Sequence, residues 1–95
     1  MLESHMSEWS VDFEDEALRD METLSSSTRK QVLDKIEWFR GHFSEINPLP
    51  LGGEWRGFYK LRVGDYRVIY DIRWSSNRLI VVVVEHRSCV YRRKR

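Results

Sequence analysis

The chain has 95 residues, 41% hydrophobic and 33% charged, enough for one two-layer core and too few for two. Its net charge of +1 conceals an asymmetry, since residues 1–50 carry 5 Lys/Arg against 11 Asp/Glu while residues 51–95 carry 11 against 4. The single cysteine, Cys89, excludes an internal disulfide and argues against a cysteine-based metal site; the longest apolar run, Leu79 to Val84, is too short to span a bilayer.

Met1 to His5, ahead of a second methionine at Met6, reads as a cloning remnant, so a single domain is expected over 6–95. With no secretory h-region, the chain is expected to be cytoplasmic. Trp9, Val11 and Phe13 alternate with Glu8, Ser10 and Asp12, the period of a first strand with one buried face. A helix follows, capped by Asp12 or Glu14, with Glu14-Asp15-Glu16 at the positive end of its dipole and Ala17, Leu18, Met21 and Leu24 as its apolar stripe. Ser25-Ser26-Ser27 breaks it. Ser27 is the expected N-cap of a second helix, in which Val32, Leu33, Ile36, Phe39 or Arg40, and Phe43 recur at helical spacing. The two helices form a hairpin, Trp38 packs at the edge of the core, and His42 complements the helix C-terminus.

Ser44 to Gly53, with Asn-Pro, Leu-Pro and Gly-Gly, is a surface loop. Three strands are predicted after it, at about Trp55 to Val63, Tyr66 to Trp74 and Arg78 to Glu85. The last holds the continuous run Leu79 to Val84 and reads as a central strand covered on both faces. The order β-α-α-β-β-β predicts an α+β, two-layer domain with the helical hairpin packed on one face of an antiparallel C-terminal sheet.

The most informative stretch is Tyr59 to Tyr70. A two-residue Gly64-Asp65 turn, with Gly64 at positive φ, pairs Val63 with Tyr66, Leu61 with Val68 and Tyr59 with Tyr70 on the core side. On the other side it sets Arg62 opposite Arg67, with Lys60 two residues further along. Like charges facing each other across a ladder are destabilising, which points to a bound anion, phosphate foremost. The register of the final strand is open: an even loop puts His86 opposite Arg67, an odd one Arg87. Tyr91 follows Arg87 by four residues, a spacing from which it is expected to fold back over the same edge. With the basic ending Arg92-Arg93-Lys94-Arg95, the cationic face favours a nucleic-acid partner. Phe58 shares that face and is a candidate base-stacking platform, whereas Trp55 and Trp74 read as packing or partner-interface residues. Cys89 reads as a semi-buried structural thiol. Neither a zinc motif nor a Gly-rich phosphate loop is present, so no metal or nucleotide cofactor is expected.

Two segments, Gly57-Phe58-Tyr59-Lys60-Leu61-Arg62-Val63-Gly64-Asp65-Tyr66-Arg67-Val68-Ile69-Tyr70 and Val84-Glu85-His86-Arg87-Ser88-Cys89-Val90-Tyr91, resemble the RelE/ParE toxin superfamily, and within it the RelE-like ribosome-dependent mRNA endonucleases. The resemblance extends from Trp9 to Tyr91 through the order of elements. It implies a toxin of a type II toxin–antitoxin system that cuts mRNA in the ribosomal A site, with a cognate antitoxin, the ribosome (16S rRNA) and mRNA as partners and a toxin–antitoxin hetero-oligomer as the assembly. It also implies catalytic roles for Lys60, Arg67, Arg87 and Tyr91, with His86 as a further candidate base because imidazole titrates near neutrality. Arg62, Phe58 and Arg92 are the expected RNA contacts. The chain departs from the best-known member at Phe58 and His86, where that member has lysines. The alternative is a ParE-like, non-enzymatic inhibitor of DNA gyrase.

Overall fold

The computed structural model describes residues 8–89. In chain order they form β1 (Ser10–Phe13), α1 (Asp15–Glu22), α2 (Ser26–Gly41), β2 (Leu49–Pro50), β3 (Tyr59–Val63), β4 (Tyr66–Arg73) and β5 (Arg78–His86). The strands make one sheet in the order β1-β5-β4-β3-β2. β1 runs parallel to β5 and the other neighbours are antiparallel, so this is a two-layer α+β domain on a mixed sheet. As its composition predicts, β5 is an inner strand.

The helices cover one face of the sheet. Ala17, Met21 and Leu24 from the α1 side and Val32 and Ile36 from α2 pack on Val63, Val68, Val81 and Val84. Phe39 and Phe43 pack on Tyr70, Ile72 and Leu79. Two expected stripe residues turn outward instead: Leu18 is 47% and Leu33 43% exposed, each lying next to its helix's buried row rather than in it. The cap also moves. Ser25, not Ser27, is the N-cap of α2, its Oγ accepting from the Thr28 N–H at 3.2 Å. Glu14 is the N-cap of α1 by backbone position, its side chain making no capping hydrogen bond.

The opposite face has a small core of its own. Trp55, in a single 3-10 turn (Gly53–Trp55), is 4% exposed and packs with Ile69, Ile80, Val82 and Val83, with Leu51 and Phe58 at the margin. The strand expected from Trp55 therefore starts only at Tyr59. Where β1 ends, the edge of β5 is taken over by α1: Asp20 Oδ2 accepts the Val84 N–H at 2.9 Å, sparing a half-buried donor the cost of going unbonded.

Trp74 is 61% exposed and meets Trp9 and Phe43 at ring-centroid distances of 5.6 and 6.0 Å. Trp38 stacks on His42 at 4.4 Å, and the His42 Nδ1–H donates to the Trp38 carbonyl at 2.8 Å, closing the end of α2. Cys89 is exposed, in the turn after β5, rather than semi-buried. No helix among the described residues is long and apolar enough to cross a membrane.

Candidate functional site

The β3–β4 hairpin builds the site. Gly64 adopts φ 58°, the left-handed conformation that opens a two-residue turn at no steric cost. The resulting register pairs Val63 with Tyr66, Arg62 with Arg67, Leu61 with Val68 and Tyr59 with Tyr70, as the sequence predicts. Side chains directly opposite in an antiparallel pair have Cβ atoms roughly 5 Å apart, so Arg62 and Arg67 are neighbours on the face away from the helices. Lys60 shares that face by strand alternation. Lys60 and Arg67 are half-buried; Arg62 is exposed.

β5 corrects the sequence reading. Neither His86 nor Arg87 lies opposite Arg67; Glu85 does, and His86 lies opposite Tyr66. Two features cause this. The link Trp74 to Asn77 closes Arg73 against Arg78, and the pairing slips by one residue between Ile69 and Tyr70, leaving Val82 as the extra residue of a bulge. The slip reverses the alternation beyond it, so Val82 and Val83 both join the open-face core while Val84 faces the helices. Glu85 then falls on the cationic face, and His86 falls on the helical side.

There the His86 ring meets Tyr66 edge-on at 5.3 Å, and its Nδ1 accepts the Ser88 N–H at 3.2 Å. With Nδ1 accepting, the neutral ring would carry its proton on Nε2, and the ring as a whole lies with Tyr66 on the side of the sheet opposite Arg67. Arg87 is brought in through its backbone. Its N–H donates to the Asp65 carbonyl at 2.7 Å, which ties the end of β5 to the hairpin turn. Phe58 is half-buried, edge-on to Trp55 at 5.6 Å, and its carbonyl accepts the Leu51 N–H at 2.9 Å. It is held by the small open-face core at the margin of the cationic patch. Tyr91 and Arg92 lie outside the described residues.

Structure thus brings together Lys60, Arg62, Arg67 and the backbone of Arg87, with Phe58 alongside, and separates His86 from them. Glu85 is the member that the sequence reading missed. The cause was the slip within a run of valines, where no polar residue marks which side chain faces which layer. Between α2 and β3 runs a groove of about 250 Å³ whose lining includes Lys35, Trp38, Leu49, Lys60, Leu61 and Arg62. Among the described residues no three His, Cys, Asp or Glu side chains are grouped so as to hold a metal ion.

Similar architectures occur in solved toxins. The toxin–antitoxin complex RelBE2 from Mycobacterium tuberculosis has a chain 24% identical, with a TM-score of 0.73 over 82% of this chain and 96% of that one. The isolated RelE toxin of E. coli is 25% identical, with a TM-score of 0.66 over 82% and 83%. A YoeB/ParE toxin from Agrobacterium tumefaciens is 19% identical, with a TM-score of 0.64 over 81% and 96%. No curated protein matches the sequence. The profile of the ParE toxin of the parDE type II toxin–antitoxin system matches residues 11–91. With that profile spanning nearly all of the domain, and RelE folds matching its sheet and helices, the chain belongs to the ParE toxin family of type II toxin–antitoxin systems.

Proposed function

We propose that this toxin is a metal-independent endoribonuclease that cuts mRNA in the ribosomal A site. The observation that carries the reading is the pairing of Arg62 with Arg67, with Lys60 on the same face and Arg87 tethered to the turn beside them. Such a cluster suits a phosphodiester better than it suits the free protein, because guanidinium groups offer paired donors to phosphate oxygens.

In the proposed reaction the ribose 2′-oxygen attacks the adjacent phosphorus, the P–O5′ bond breaks, and a 2′,3′-cyclic phosphate forms. A base takes the 2′-hydroxyl proton and the leaving 5′-oxygen gains one. Lys60 and Tyr91 are the candidate bases, Tyr91 through its match to the family motif. Arg67 stabilises the charge that builds on the phosphorane, and Arg87 the charge on the leaving oxygen. His86, on the other side of the sheet, has no part in this scheme. Arg62, Phe58 and Arg92 hold the flanking RNA. The cognate antitoxin, an acidic and partly disordered chain, docks in the groove lined by apolar Trp38, Leu49 and Leu61 and by the cations Lys35, Lys60 and Arg62.

The second reading, non-enzymatic inhibition of DNA gyrase, draws on the ParE profile that matches residues 11–91. Primer extension on a translated message separates the two. Codon-positioned breaks that disappear with Arg67→Ala or Arg87→Ala, while antitoxin binding persists, support the endonuclease. Intact mRNA with inhibited supercoiling transfers the assignment to gyrase.

A further inference from the structure

We infer that Glu85 is a positioning residue for Arg67, a role that rests on the endonuclease reading. Three side chains stand in one row across the sheet: Arg62 on β3 pairs with Arg67 on β4, which pairs with Glu85 on β5. The row reads plus, plus, minus. Arg67 and Glu85 are half-buried, whereas Arg62 is exposed, so the attraction across β4 and β5 acts in a less polar setting than the repulsion across β3 and β4. An opposite-charge pair directly across a ladder is favourable, and a like pair is not. Glu85 therefore draws the Arg67 guanidinium toward β5 and away from Arg62. This sets the direction from which Arg67 addresses a phosphate and lets two arginines face each other before RNA arrives.

The same carboxylate has a cost. It repels the phosphate that Arg67 is to hold, so removing its charge should strengthen binding of the RNA backbone while leaving Arg67 poorly aimed. Binding and turnover then move in opposite directions, which a merely structural residue would not produce.

Glu85→Gln keeps the size and an acceptor oxygen; Glu85→Asp keeps the charge on a shorter arm. With ribosomes programmed by a short message, Glu85→Gln should lower the single-turnover cleavage rate about tenfold, the order expected for a misaligned charged group. Affinity for an oligonucleotide whose reacting ribose is 2′-deoxy should tighten about threefold, by loss of one repulsive charge. Glu85→Asp should recover part of the rate, with thermal midpoints within a few degrees of the parent. An unchanged rate in Glu85→Gln, or rate and affinity falling together with the midpoint, overturns the inference. If the parent protein cuts no message, the endonuclease reading fails by itself. The positioning role is then decided by the nuclear magnetic resonance signals of the Arg67 guanidinium, whose exchange with solvent should quicken in Glu85→Gln; unaltered exchange refutes it.

Discussion

Tyr70 is 2% exposed and packs edge-on against Phe39 at 5.3 Å and alongside Tyr59 at 5.8 Å. Its hydroxyl has no hydrogen-bond partner among the described residues. Burial, and secondarily the neighbouring Tyr59, push its ionisation far above the ordinary tyrosine value of 10.0. Below that value both folded and unfolded chains carry neutral Tyr70, and its contribution to stability is complete. Above it the unfolded chain ionises while the folded one resists, so stability declines as pH rises. Tyr70→Phe should remove this alkaline decline. At neutral pH it should also stabilise the fold by about 1 kcal/mol, because a buried hydroxyl without a partner is desolvated for no return. Urea unfolding of both proteins at neutral and alkaline pH measures the two effects. A destabilised Tyr70→Phe protein at neutral pH would show that the phenol makes a bond that matters.

The β3–β4 hairpin and the β4–β5 pairing differ in how far their residues declare them. Gly64-Asp65 is flanked by alternating apolar and charged residues from Tyr59 to Val68, so one turn satisfies both faces and the pairing of Arg62 with Arg67 is legible from composition. Leu79 to Val84 gives no such cue. With a core on each side of the sheet, every register of that run buries apolar surface, and the bulge at Val82 leaves no mark in the residue types. The choice between Glu85, His86 and Arg87 opposite Arg67 was therefore not readable from the chain. β2 was equally hidden, being two residues of a proline-rich loop. The hairpin also carries a testable link to the site. A Cβ at Gly64 would sit 3.4 Å from the Gln31 Nε2, an ordinary contact, so Gly64→Ala is opposed mainly by its φ of 58°, at roughly 1 kcal/mol. The turn carbonyl of Asp65 holds the Arg87 N–H, and distortion there shifts Arg87. On the proposed endonuclease reading, message cleavage by Gly64→Ala should fall at least tenfold, more than its loss of stability explains; parental cleavage with the expected destabilisation would uncouple the turn from Arg87.

Across the described residues acidic charge gathers at α1 and cationic charge on the β3–β4 hairpin, although α2, in the same layer as α1, carries Arg29, Lys30, Lys35 and Arg40. Glu14, Asp15, Glu16, Asp20 and Glu22 lie on or at the start of α1, while Lys60, Arg62 and Arg67 share the far face of the sheet. A near-neutral chain thus offers a polyanion one attractive side, and orientation during encounter follows from the field rather than from the net charge. Each phosphate neutralised on a single strand releases counterions, giving a slope of about −0.7 in log affinity against log salt. Lys60, Arg62 and Arg67 acting together on RNA should produce a slope of roughly −2, and Arg62→Ala should reduce its magnitude by about 0.7. Lys30→Ala, which removes the cation of the exposed Lys30–Asp34 ion pair on α2, should leave the slope unchanged. Fluorescence titrations of a short, 2′-deoxy-blocked RNA at several salt concentrations read these slopes directly. Equal slopes for Arg62→Ala and the parent would mean that the paired arginines do not meet the backbone, and that the anion selected by this face is not RNA.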